Sequence, residues 1–281
     1  MNWRYVARTD LLGLCRSRLL WLATAVVGIL CAAGAAVPSL VREDPAYTLG
    51  VETLFIALGT VVPFVALGLG YRAVVGARES GTMRFLLGLP NRRLDVVVGR
   101  VLSRVAATLA VVAVGGAAGL VALVALYDGT ALAGPLVVVL GLATMGVVYA
   151  VVGVAISASV GSSTKAVGGA FGAYALLFFL WERIPQAVYW LVEGTVPTGG
   201  TRPAWFALLQ RLNPGAAIGD LTVAQFEWMR NGAYVSNRPT AAQVAGDVPF
   251  YLSDAAAVPV LLAWVVGAPL VGYVAFRRSQ G

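Results

Sequence analysis

Along most of this chain apolar residues run unbroken for the thickness of a bilayer. A hydrocarbon core asks for about 20 mostly apolar residues per helix. Six windows approach or exceed that length: residues 19–37, 53–75, 101–126, 131–160, 166–181 and 255–276. Ahead of the first, Trp3, Val6, Leu11, Leu12 and Leu14 recur at helical spacing among Arg4, Arg8 and Arg16, the pattern of an amphipathic helix lying along a membrane surface. The first window has no clearly placed small-residue cleavage site, so it is expected to stay as a helix rather than be removed as a signal peptide. Between windows five and six, residues 182–254 are too polar to span yet rich in tryptophan, tyrosine and phenylalanine, which suit the headgroup boundary. The expected fold is an all-α integral membrane protein: one transmembrane domain over residues 1–281, with six spans, an interfacial amino-terminal helix and an insertion at 182–254.

Composition agrees, with 59% hydrophobic and 12% charged residues against the quarter or so usual in soluble domains. An even number of spans puts both termini on one side, and charge says which. The terminal side carries fourteen cations against Asp10, Glu79 and Asp95, a net of +11, whereas the other side carries six cations against ten acids, a net of −4. Positive loops stay inside, so both termini are expected in the cytoplasm and the 182–254 insertion outside. With this distribution the net charge of +7 points to a membrane and not to nucleic acid. Proline within the spans, at Pro63, Pro259 and Pro269, is tolerable where neighbouring helices repair the backbone. Small-residue runs at Gly115–Gly119 and Gly168–Ala173 allow close helix approach, either within one bundle or against a second copy.

Much chemistry is excluded. There is no histidine, which removes imidazole triads and the H-E-x-x-H metal site. Cys15 and Cys31, read along one helical stretch, lie roughly 24 Å apart at 1.5 Å per residue, too far to bridge. No acid falls at mid-span, where a proton-coupled carrier would want one. Arg72 and Arg104 sit near span ends, from which they can snorkel to the interface. Mid-span hydroxyls (Thr108, Thr144, Tyr149, Ser157, Tyr174) are expected to bond neighbouring helices or carbonyls. The run Gly161–Lys165 lacks the spacing of a phosphate-binding loop. No catalytic, cofactor or metal residue emerges; if ATP drives this protein, another chain binds it.

The polar exception is residues 76–100, between spans two and three. Thr82 is placed to cap a short helix with Met83, Leu86 and Leu87 on one face. Pro90 ends it. Asn91 can cap a second helix whose Leu94, Val97, Val98 and Val101 lead into span three, leaving Arg92 and Arg93 at the elbow. Periodicity alone fits a basic hairpin resting on anionic headgroups. On periodicity alone a docking element, with Leu86 and Leu87 seated in a pocket and the charges setting orientation, is the second reading.

The order Glu79-Ser80-Gly81-Thr82, Leu86-Leu87, Pro90, Arg92-Arg93, Val98-Gly99-Arg100 resembles the first cytoplasmic loop of permease subunits of export-class (type two) ATP-binding-cassette transporters. The six-span layout with a late insertion is similar too, and Leu212-Asn213-Pro214 resembles a sequence of the copper-enzyme-maturation permease branch. Ala77, Met83-Arg84 and Arg100 depart from the family pattern, so charge pairing with a partner is expected to differ in detail. The resemblance implies a non-catalytic subunit in the plasma membrane, paired as a homodimer or with a related permease. It also implies two copies of a separate ATPase that holds ATP and magnesium. Coupling to that ATPase falls on Glu79, Gly81, Thr82, Leu86, Leu87, Pro90 and Arg92, with the amino-terminal helix framing the groove or simply anchoring to lipid. The rival is a stand-alone secondary transporter or scaffold. For the insertion, both a lid and a partner-receiving or gating role stay open, with 203–214 and 222–232 as short helices.

Overall fold

The computed structural model of the protein describes residues 3–83, 93–128, 131–196, 201–223, 244 and 249–278. Every named element among them is helical, and the one bridge pairing is an isolated contact of Arg202 with Val244. Six helices are long and apolar enough to cross a membrane, one for each hydrophobic window. The chain divides into two compact units, residues 1–172 with 264–281, and residues 173–263.

The first unit begins with α1 (Trp3–Cys15) and α2 (Arg18–Val41). These are separate helices, so Cys15 and Cys31 do not share one helical stretch as expected. Ser17 breaks the chain: its backbone is extended, and its hydroxyl accepts the Leu20 N–H at 3.2 Å, capping α2. The Trp21 indole closes the join by donating to the Cys15 carbonyl at 2.9 Å. Next come α3 (Tyr47–Gly70) and the short α4 (Val75–Glu79). Then follow α5 (Arg93–Leu126), α6 (Ala133–Ser159) and α7 (Ser163–Tyr174). The final span is α11 (Ala257–Arg278), of which residues 264–278 belong to this unit.

Packing in this unit depends on absent side chains. A Cβ on Gly70 would lie 2.9 Å from the Gly153 Cα, so α3 and α6 cross backbone to backbone. Gly115 faces Val27 and Cys31 of α2, Gly119 faces Leu54 of α3, and Gly272 of α11 meets Ala155 of α6. The Gly115–Gly119 run is thus used inside the protomer. In the Gly168–Ala173 run, Gly169 meets Ile156, whereas Gly168 and Gly172 have nothing within 4 Å. Away from the termini, Tyr127 fills the notch at Gly50, and its hydroxyl donates to the Ala35 carbonyl at 3.0 Å.

The second unit opens with a π-helical continuation of α7, Ala175–Leu180. It continues with α8 (Arg183–Glu193), α9 (Ala204–Arg211), α10 (Pro214–Val223) and two 3-10 turns, Phe250–Leu252 and Asp254–Ala256. Helix α9 covers most of the expected 203–214 helix. The expected 222–232 helix is described only at Thr222 and Val223, where α10 ends; its remainder lies outside the described residues. Asn213 organises this unit. Its side-chain oxygen accepts the Ala216 N–H at 3.1 Å, capping α10 with Pro214 at the first helical position, and its amide donates to the Leu177 carbonyl at 2.5 Å. That carbonyl belongs to the π segment, where the ordinary i→i−4 register is broken. Nearby, Arg211 bonds Asp220 at 3.0 Å and the Ser253 carbonyl at 2.6 Å, gathering α9, α10 and the 3-10 turns.

Candidate functional site

Helix α4 is five residues long and has no side-chain cap of its own. Its leading N–H groups are satisfied from another helix, because the Ser157 hydroxyl of α6 accepts both Val74 N–H and Val75 N–H at 3.0 Å. The expectation that Ser157 bonds a neighbouring segment holds here. Thr144 instead bonds back to the Leu140 carbonyl of its own helix at 3.0 Å.

The last two residues of α4 tie together the ends of two other helices. Arg78 donates to the Val160 carbonyl at 2.9 Å and the Ala158 carbonyl at 3.2 Å, where α6 ends, and its guanidinium stacks over the Phe276 ring of α11 at 4.7 Å. Glu79 accepts the Ser163 N–H at 2.6 Å and the Ser163 hydroxyl at 2.5 Å, where α7 begins. A cation thus meets terminal carbonyls and an anion meets terminal N–H groups, each with the sign that complements the helix dipole. Arg72 stands 3.9 Å from Glu79 across solvent and adds little to this arrangement.

Gly81 follows with φ +74, a left-handed conformation that glycine adopts without strain. Thr82 was expected to cap the next helix from outside it. It is instead already helical, and its hydroxyl lies 2.9 Å from the Ser80 hydroxyl. A helix that starts one residue earlier takes its cap position at the glycine, whose φ is free to make the turn. Met83 is buried in a cluster with Val6 of α1, Ala73, Val74 and Ala77, Val96 and Val97 of α5, and Phe276 of α11. Residues Leu86, Leu87, Pro90, Asn91 and Arg92 lie outside the described residues. Of the expected site residues, Glu79, Gly81 and Thr82 come together at this end of the bundle. Arg93, expected free at the elbow, is half-buried and reaches the Arg277 carbonyl of α11 at 3.4 Å.

Sequence reasoning missed the ion cluster beneath the loop. Asp10 of α1 is bonded by Arg100, Arg104 and Ser103 of α5, with Arg104 at 3.2 Å. Its side chain is 8% exposed and those of the arginines 12% and 10%. Arg104 therefore does not snorkel to the interface: a carboxylate on α1 reaches it first, and burial of α1 against α5 seals the pair. Gly99 permits that approach, since a Cβ there would lie 2.7 Å from Val6 and 3.0 Å from the Trp3 carbonyl. The Gly99-Arg100 pair thus serves contact with α1 within the chain. The available signal was Asp10 itself, the one acid in the first 42 residues.

No group of three or more acidic or cysteine side chains able to hold a metal occurs among the described residues. What the described residues offer is a short polar segment fastened to the ends of α6, α7 and α11 and, through its neighbours, to α1.

Residues 4–280 match the family described as ABC-2 family transporter protein. The chain is 26% identical over 223 residues to the probable ABC transporter permease protein NosY of Stutzerimonas stutzeri, covering 78% of this chain and 76% of that one. It is also 26% identical over 222 residues to the protein of the same name from Pseudomonas aeruginosa, with the same coverage.

Proposed function

The chain belongs to the ABC-2 transporter family and is a multi-pass membrane subunit of an ABC transporter, and on that premise we propose that a separate ATPase drives it through the loop after the second span. In this reading the chain is not an enzyme; ATP and magnesium are bound by the partner. Two ATPase copies serve two permease chains, a homodimer or a related pair, in the plasma membrane with both termini in the cytoplasm. The charge asymmetry of +11 against −4 supports that orientation.

The observation that carries the reading is the family match, which runs through the loop and through every helix end to which it is tied. The contacts supply a route for force. Leu86 and Leu87 seat in the ATPase, Pro90 and Arg92 set the angle of entry, and Glu79, Gly81 and Thr82 join that foot to the bundle. A displacement of the foot then reaches α6 through Arg78 and α7 through Glu79, because each side chain holds a helix end.

The test is co-purification. With the ATPase from a neighbouring gene co-expressed, Leu86→Asp with Leu87→Asp is expected to release the ATPase from the membrane fraction while the permease stays inserted. Unchanged co-purification would refute docking through this loop and leave a basic hairpin lying on headgroups.

A further inference from the structure

The ion cluster at the foot of α5 borders a cavity of about 280 Å³, lined by Val6, Thr9, Asp10, Gly13 and Leu14 on the α1 side and by Thr82, Arg100 and Arg104 opposite. Its charges do not balance. Two guanidinium groups meet one carboxylate, Asp10, and the Nε atoms of both arginines have no partner among the described residues. The sequence nearby supplies no further anion: residues 84–92 add Arg84 and Arg92 and no acid. Glu79 is held at Ser163, and Asp95 has an interaction of its own.

We propose that this cavity binds the phosphate group of an anionic phospholipid, with the headgroup lodged between α1 and the foot of α5 and the acyl chains left in the bilayer. Four features favour it. The surplus cation is presented by arginine, whose planar fork matches phosphate oxygens. The opposite wall is apolar at Val6 and Leu14, suiting a glycerol backbone. The volume is near the lower end for small-molecule sites, enough for a headgroup and too small for a whole lipid. The cavity also lies where amphipathic α1 meets the end of a span, the depth at which basic pockets between helices meet headgroups. The proposal stands whether or not an ATPase docks on the adjoining loop.

Free phosphate shares the recognised chemistry, so the test separates the two sources. The full chain, delipidated in neutral detergent, is titrated with phosphatidylglycerol, phosphatidylcholine or inorganic phosphate and read by native mass spectrometry. Phosphatidylglycerol is expected to bind in preference to phosphatidylcholine and to resist displacement by inorganic phosphate. Arg104→Gln is expected to weaken phosphatidylglycerol binding about fivefold, the worth of one cation beside an anionic headgroup. Gly13 lines the cavity and a Cβ there meets nothing within 4 Å, so Gly13→Phe is expected to intrude on it and abolish binding, whereas Gly13→Ala is expected to preserve it. Equal retention of the two lipids by the wild type, which needs no variant, overturns the proposal. So does undiminished phosphatidylglycerol binding by folded Gly13→Phe. Displacement by inorganic phosphate at equal concentration overturns the lipid assignment.

Discussion

Removing the Asp10 carboxylate is the most direct test of how α1 is held. At 3.2 Å, and with an effective dielectric of about 20, the attraction between Asp10 and Arg104 is about 5 kcal/mol before desolvation is counted. Desolvation offsets much of that, so the intact cluster is worth little compared with an apolar replacement. Breaking it is another matter. Asp10→Ala leaves Arg100 and Arg104, each about nine-tenths buried, facing each other without their anion, and loss of one partner from a buried pair costs about 3–5 kcal/mol. Ser103 adds little to this figure, because its hydroxyl can turn to the Arg100 carbonyl at 2.9 Å.

For a chain of this length the loss corresponds to a fall of about 10 °C in melting midpoint, measurable by fluorescence-detected size exclusion after heating in detergent. Trypsin should also cut faster at Arg16, in the break between α1 and α2, and at Arg18, the first residue of α2. The diagnostic variant is the triple Asp10→Leu, Arg100→Met, Arg104→Met, which removes all three charges. It is expected to recover most of the midpoint, since apolar side chains of similar size often replace a buried ion cluster without loss. An Asp10→Ala midpoint within about 2 °C of the wild type would refute the reasoning. That result would mean that apolar contacts of Val6 and Leu14 hold α1 without the cluster; a triple variant as damaged as the single would refute it as well, since the intact cluster itself, and not an uncompensated charge, would then account for the loss.

Three further substitutions test the remaining contacts. Gly153→Leu should destabilise by about 3 kcal/mol or more, above ordinary overpacking because backbone is the obstacle, whereas Gly68→Ala, with nothing within 4 Å, should be neutral; thermal midpoints compare them. Asn213→Ala removes a helix cap and leaves the Leu177 carbonyl without its amide donor, a combined cost of about 2–3 kcal/mol. Hydrogen exchange should quicken over both 175–180 and 214–223, while Asn213→Asp, which keeps the cap, should spare the second stretch. Glu79→Gln and Ser163→Ala should each reduce transporter-dependent ATPase stimulation, and the double variant should be no worse than the more severe single one. Additive losses would mean that Glu79 acts outside its contact with Ser163.

The six spans could be read from sequence because burial in lipid needs only a run of apolar residues, a local property. Helix ends were harder, since hydropathy reports where a helix enters oil and not where it starts. Thus α5 is already helical at Arg93 although its apolar window opens near residue 101; the capping pattern after Pro90, and not hydropathy, pointed to that extension. The π segment Ala175–Leu180 left no local trace, and its counterpart is Asn213, 36 residues on. The loop shows the same division. Its polar residues were conspicuous in so apolar a chain, but their partners are remote: Ser163 lies 84 residues after Glu79, and Asp10 lies 90 residues before Arg100. Chemistry narrows such a search even without a structure, because Asp10, the one acid beside five arginines in the first 42 residues, must either meet water or meet arginine. Arg78 and Glu79 add a geometric clue. Adjacent residues on a helix point about 100° apart and cannot pair with each other. An Arg-Glu step at the end of a short helix is therefore suited to two different targets of opposite polarity, and the turn from α6 to α7 presents a helix C-terminus and a helix N-terminus within the reach of both side chains.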